Sequence, residues 1–371
     1  MFSRRILLTS VSALAALALT LPTTTWAKEP IPVVATFSIL GDMVERIGGE
    51  HIAVTTLVGP DGDAHVYQPT PQAARAVAEA DLMFVNGLDF EGWLERLAEA
   101  AAFDGALVVA TDGIEALAFD EHGDEHSDEH SDHNEHKDEH DDHEGDHGDE
   151  DHKDEHAEDG DHKDHADEGH DDHKDEHDKH EGGHDDHDAH AGHDHGAFDP
   201  HAWQSLTHAV TYVDNITVGL AKADPENATD YYANRATYVT EIEALNVDVS
   251  AMMAAVPEDK RTVVTSHDAF GYFADAYGLT FEAPQGLSTE SEVAAADVAE
   301  LIEQIRAVGI SAVFVEAIAD NRLLQQIASE TGATIGGTLY SDALSDSNGP
   351  ASTYLDMMRH NAETLSKALS N

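Results

Sequence analysis

The chain of 371 residues contains no cysteine. No disulfide can brace it and no thiolate can bind a metal, so any metal site must be built from imidazole and carboxylate. Positive charge is scarce: 19 Lys and Arg stand against 75 Asp and Glu, for a formal net charge of −56. Such a surface repels a phosphate backbone, which argues against nucleic acid as a partner and for cations. Long apolar runs are missing too. The longest, from Ile6 to about Leu21, falls short of the roughly 20 residues that a bilayer crossing needs. It follows Arg4 and Arg5 and leads to small residues ending at Ala27. That layout is expected of a removable signal peptide over 1–27, not of a membrane anchor. Ser3-Arg4-Arg5 suits the twin-arginine route as well as the general one.

What the chain has in excess is histidine. Of 27 His, 21 fall between Asp120 and Gly196, among 35 carboxylates and 5 Lys. With almost no apolar residue, that segment cannot offset its ordering entropy, and it is predicted to be a disordered loop over 120–196. Inside it, His143-Glu144-Gly145-Asp146-His147 fits H-E-x-x-H, the zinc-protease pattern. The catalytic version needs a rigid helix that sets both imidazoles on one face. Here two glycines, no apolar face and a composition that produces the match by chance remove the argument. The loop still has ligand chemistry, because neutral imidazole and carboxylate both bind zinc. His126, His130, His133, His136, His140, His143 and His147 recur every three or four residues. A flexible chain that gathers a few of these loses entropy at each ion, so these auxiliary zinc sites are expected to be weaker than a preformed one.

Outside the loop, apolar strands and amphipathic helices alternate. Strands are expected at Ile31–Thr36, Ile52–Val58, Leu82–Val85 and Ala106–Ala110, with helices at Ser38–Ile47 (Ser38 as its cap), Thr70–Ala80 and Gly92–Ala101. After a long helix over 225–256 the alternation resumes. Strands are expected at Thr262–Thr265, Leu279–Glu282, Ala312–Glu316 and Thr334–Leu339. Helices are expected at Asp268–Tyr277, Ala294–Val308, Arg322–Glu330 and Thr353–Leu369. The outline is α/β: two lobes, 28–224 and 257–371, each a mostly parallel sheet flanked by helices, joined by one rigid helix.

Six histidines lie outside the loop: His51, His65, His201, His208, His267 and His360. His65 sits in GDAHVYQPTPQ, His201 in FDPHAWQS and His267 in TSHDAFGYF, all where a strand should give way to a helix. Asp342, in LYSDALS, follows a strand in the same manner. Strand ends facing a crevice are where α/β proteins place ligands, although each residue alone also reads as structural. His208 falls within a helical run and, like His51 and His360, is expected on a polar surface. Glu316 ends a strand and is a candidate to orient a ligand imidazole through its second nitrogen.

These four segments resemble, in order, the metal-site segments of the solute-binding proteins that serve bacterial ABC importers of zinc, manganese and iron. A His-rich insertion just before DPHAW is similar to that of the zinc members, the ZnuA-type proteins. The resemblance runs from about Pro30 to the C-terminus, apart from the loop. It implies two lobes with one metal in the cleft between them, bound by His65, His201, His267 and Asp342. It also implies a monomeric periplasmic protein that hands Zn²⁺ to a membrane permease, with periplasmic zinc chaperones as further partners, and no catalysed reaction. Three imidazoles and a carboxylate suit four-coordinate zinc. Manganese favours more oxygen donors, and the manganese members carry a carboxylate where this chain has His267. Some zinc members leave the Asp position to water or use a Glu near the first His; Ala64 removes that Glu here. The rival readings are a manganese or iron importer or adhesin of the same fold, a zinc store centred on the loop, and a zinc hydrolase. The hydrolase needs an open coordination position with a base beside it, and no ligand segment offers one.

Overall fold

The computed structural model describes residues 29–119, 198–289 and 293–370. The expected signal peptide and all the loop histidines, His126 through His147 among them, lie outside the described residues.

The first sheet comprises β1 (Ile31–Phe37), β2 (Ile52–Val58), β3 (Leu82–Val85) and β4 (Ala106–Val109), in the order β2-β1-β3-β4, every pair parallel. The second comprises β5 (Thr262–Val264), β6 (Thr280–Glu282), β7 (Ala312–Glu316) and β8 (Thr334–Leu339), in the order β6-β5-β7-β8, again parallel. Each lobe thus repeats one strand order. Helices α1 (Ser38–Gly48), α2 (Pro71–Glu79), α3 (Leu94–Ala101) and α4 (Leu206–Ala223) accompany the first sheet, and α6 (Gly271–Tyr277), α7 (Ala295–Val308), α8 (Arg322–Thr331) and α9 (Tyr354–Leu369) the second. Between the two sets runs α5 (Ala228–Ala254), about 40 Å long. The strands are near-continuous apolar runs because helices cover both faces of a parallel sheet; all four residues of β3 are buried.

Local chemistry explains the boundaries. Thr70 accepts the Ala73 amide at 3.1 Å and Pro71 opens α2, where a missing N–H costs nothing. Gly278, at φ 71°, ends α6 and lets β6 start two residues on. The expected helix over Asp268–Tyr277 begins later, at Gly271. The Asp268 amide is drawn to the carbonyls of Gln285 and Gly286 at 3.1 and 3.2 Å, which holds the preceding turn out of the helix. Ser38 does not cap α1 as expected. The N-cap is Phe37, and the Ser38 hydroxyl instead accepts the Leu344 amide at 2.9 Å, across to the second lobe.

One apolar cluster runs without a break from the first sheet through α4, α5 and α6 to α9. α5 contributes a stripe to it, Tyr231, Tyr238, Ile242, Leu245, Val249 and Met253. A second cluster, from Val264 and Val313 to Leu301, Ile305, Leu324 and Ile327, packs the second sheet against α7 and α8.

Half-buried Asp42, on α1, accepts the Tyr354 amide at 3.0 Å and so ties the start of α9 to the first lobe. Burial pushes its pKa up to about 6, against the lowering effect of that amide and of Arg46. A carboxyl that holds its proton more tightly folded than unfolded destabilises the fold once ionised. The cost grows as pH rises from about 4 to 6 and is fully present above that. Asp42→Asn, which keeps an oxygen for Tyr354, is expected to raise stability by about 1–2 kcal/mol at pH 7.5. The gain should vanish near pH 4. Denaturant melts at the two pH values check both sign and window.

Candidate metal centre

Four buried side chains converge between the sheets. One ligand-type atom from each of His65, His201, His267 and Asp342 lies within 4.8 Å of all the others. The Asp342 carboxylate is the hub, with Oδ2 3.3 Å from His65 Nε2 and 3.1 Å from His267 Nε2, and Oδ1 3.6 Å from His201 Nε2. The three rings sit 5.5 to 5.9 Å apart, centroid to centroid. The His65 side chain is 5% exposed and the other three are fully buried. The Nε2 atoms of all three imidazoles and both Asp342 oxygens are buried without a hydrogen-bond partner. Burying so many orphaned polar atoms is costly unless a ligand satisfies them. The separations of 3.1 to 3.6 Å from the Asp342 oxygens to the three Nε2 atoms are near the edge, about 3.3 Å, of a tetrahedron with about 2.0–2.1 Å bonds, and the four groups need draw together only slightly to share one ion.

The local folding that aims these groups is repetitive. Asp63 Oδ1 accepts the His65 amide at 2.9 Å and Asp199 Oδ1 accepts the His201 amide at 2.8 Å, two turns of the same Asp-x-His form. Asp199 Oδ1 also lies 2.7 Å from His201 Nδ1. Glu316, at the end of β7, takes the amides of Ser266 and His267 on Oε1 at 2.7 and 2.9 Å, with Oε2 2.7 Å from His267 Nδ1. Asp199, hydrogen-bonded to His201 Nδ1, fixes that ring and makes its Nε2 a better donor to a cation, and Glu316 sits against His267 Nδ1 as its charge partner. The carbonyl before a site residue is held as well. Trp93 Nε1 donates to Ala64 O at 2.8 Å, Asn86 Nδ2 to Pro200 O at 2.9 Å, and Trp203 Nε1 to Ser341 O at 2.9 Å. Asn86 is itself held by buried Glu91, which takes its amide at 2.7 Å and whose pKa burial raises.

Electrostatics follow the geometry. Burial disfavours charge on His267, but Glu316 and Asp342 outweigh it and hold its pKa well above the ordinary imidazole value. Burial likewise works to raise Asp342, but the imidazoles of His267 and His201 hold it well below the usual carboxylate range. The cluster is a ready-made anionic cage for positive charge.

Of the residues singled out from the sequence, the four candidate ligands and Glu316 come together here. The other three histidines stay outside the cluster. His51 and His360 are half-buried with their polar contacts exposed, as a surface position implies, and His208 is half-buried. His51 Nε2 pairs with Asp230 at 2.9 Å, His208 packs edge-on against Tyr272, and His360 Nε2 lies 3.0 Å from Thr338 O. Burial lowers the pKa of His208. Sequence reasoning missed Asp199, although its Asp-x-His spacing is visible in DPH. It also missed Phe90, whose ring lies 4.8 Å from that of His65 and walls the cage.

The model of one protein family, the periplasmic component A of the zinc-uptake complex, matches residues 33–368. The chain belongs to this family. The manganese-binding lipoprotein MntA of Halalkalibacterium halodurans is 28% identical over 92% of this chain and 89% of its own length. The iron-binding protein YfeA of Yersinia pestis is also 28% identical, over 96% of this chain and 92% of its own. In structure the chain is similar to the periplasmic zinc-binding protein TroA from Treponema pallidum, with a TM-score of 0.70 at 23% identity over 93% of this chain and all of that one; this likeness shows the two-lobe α/β fold. As a member of the family, the chain is a periplasmic metal-binding protein of an ABC importer. It binds a divalent cation and delivers it to a membrane permease, and it is not an enzyme. The metal is its cargo.

Proposed function

We propose that the cargo is Zn²⁺, bound by His65, His201, His267 and Asp342 and carried through the periplasm for high-affinity zinc uptake. The observation that carries this reading is the convergence of three imidazole Nε2 atoms on one buried carboxylate. Three nitrogens and an oxygen in a closed cage suit a tetrahedral ion without geometric preference of its own. Manganese and ferrous iron gain more from oxygen-rich sites of higher coordination number. The names of MntA and YfeA favour those metals instead; His267 and the near-complete burial weigh against them. We assign the lobes to 28–224 and 257–371, with 225–256 as the helix between them. The segment over 120–196 supplies auxiliary zinc sites.

Competition can overturn the zinc reading, although zinc exceeds manganese in affinity at most nitrogen and oxygen sites. Metal-free protein offered equal Zn²⁺ and Mn²⁺ is expected to retain zinc alone, and a large excess of Mn²⁺ should fail to displace it, as measured by elemental analysis after gel filtration. Retention of manganese in that mixture would refute the zinc assignment and leave the fold and site standing.

A further inference from the structure

Asp342 belongs by sequence to the second lobe, but the first lobe holds the backbone on both sides of it. The Ser341 carbonyl accepts two hydrogen bonds at once, from Trp203 Nε1 at 2.9 Å and from Gln204 Nε2 at 2.7 Å. Two residues after Asp342, the Leu344 amide goes to Ser38 Oγ and its carbonyl takes the Asp61 amide at 2.8 Å. The nearest tie to its own lobe is one residue further back, where Asn361 pairs with both the amide and the carbonyl of Tyr340. The contrast with the other site residues is informative. The carbonyls of Ala64 and Pro200 are held from within their own lobe, by Trp93 and Asn86. That of Ser341 is held from across the cleft, by residues two and three positions after His201.

We infer that Trp203 and Gln204 are positioning residues that lock Asp342 against His201 and so set how long the cargo is retained. The inference rests on the reading of Asp342 as a metal ligand. Trp203 and Gln204 follow His201 in a single tight turn, and all three are fully buried. His201 and Asp342 are therefore joined by a short rigid path: imidazole, turn, two N–H donors, one carbonyl, carboxylate. The carbonyl of Trp203 in turn accepts the Tyr354 hydroxyl at 2.7 Å, which ties the turn to the start of α9. A carboxylate carried on backbone fixed in this way is presented to the ion from a set position, and its main chain cannot shift away from His201 without breaking two buried hydrogen bonds. Any departure of the metal that needs the Asp342 backbone to move away from His201 has to open this lock.

Gln204 is the residue to test. Its Oε1 is buried without a partner, so Gln204→Met removes the donor and an orphaned acceptor together while Trp203 still satisfies Ser341 O. Trp203 is less suitable, because its ring also packs against Phe37, Phe90 and His201. In the full chain, Gln204→Met is expected to speed Zn²⁺ dissociation from the tight site by about 10-fold, read by stopped-flow transfer to a chromogenic chelator. The same substitution in an Asp342→Ala background should change the rate by less than about 2-fold, while in a His65→Ala background it should keep its full effect. A Gln204→Met effect of equal size in both backgrounds would show ordinary loosening of the fold and overturn the inference, as would no effect in the parent. If Asp342→Ala alone leaves zinc binding unchanged, the reading of Asp342 as a ligand fails first. If Asp342→Ala weakens binding and Gln204→Met does nothing, only the lock fails.

Discussion

His267→Ala is expected to weaken Zn²⁺ binding by at least about 10-fold, while His208→Ala leaves it nearly unchanged. The reasons are geometric. His267 Nε2 lies in the cluster, 3.1 Å from Asp342 Oδ2, and its Nδ1 faces Glu316 at 2.7 Å. Alanine removes a donor from the metal and also strands two fully buried carboxylates without the positive group between them. Breaking a buried charge arrangement by deleting one partner costs far more than the arrangement itself contributes. The metal-free protein should therefore melt at a lower temperature as well. His208 is also partly buried and also meets an aromatic ring, so it controls for loss of packing without loss of a ligand. Calorimetry with a competing chelator gives both affinities. Equal losses from the two substitutions would refute the ligand assignment. Asp342→Ala should cost less than His267→Ala, since water can take the vacated position, but its effect should still be measurable.

Deleting residues 120–196 is expected to cut bound zinc from several ions per chain to one, with the remaining ion held as tightly as before. The four cage residues all lie outside that segment. Its two ends meet in the structure, where Ala118 pairs antiparallel with Phe198 and the Asp199 amide bonds to Leu117 O at 2.9 Å. A short connection therefore closes the gap without disturbing Asp199 or His201. The ions lost should be the pH-sensitive ones. Imidazoles with ordinary pKa values near 6.5, raised further by dense carboxylates, must shed protons to bind zinc. Affinity at the segment should accordingly fall steeply between about pH 7.5 and pH 6. Calorimetry at both pH values on the two proteins measures this. Loss of the tight site on deletion would overturn the separation of cage from segment, and an unchanged zinc count would overturn the auxiliary sites.

How much of this was legible in the sequence varied with the range of the interaction. Apolar runs and caps are local, so most strands and helices fall within a residue or two of their expected ends. The errors came where a distant partner competed for a local group. Ser38 looked like a helix cap because hydroxyls cap helices, but Leu344 claimed it from the other lobe. Asp268 looked helical until Gln285 and Gly286 took its amide. The four clustered site residues stood out because metal chemistry restricts residue type and the segments resembled a family. The supports did not stand out. Asn86, Glu91, Trp93, Trp203 and Gln204 act through hydrogen bonds to backbone carbonyls or amides, for which many residue types serve, so sequence alone carries little sign of them.

The first sheet has a further consequence, in the order of assembly. Its four strands are complete by Val109, but α4, which covers Phe84 and Val108 with Gly219 in close approach, starts only at Leu206. During synthesis from the N-terminus, that apolar face waits until the whole stretch between Ala118 and Phe198 has been made. Even treated as fully flexible, a stretch of that length is about three doublings beyond a ten-residue connection, which adds only about 2 kcal/mol to closure. The finished lobe tolerates the insertion easily; the growing chain bears its cost as time spent with an uncovered sheet.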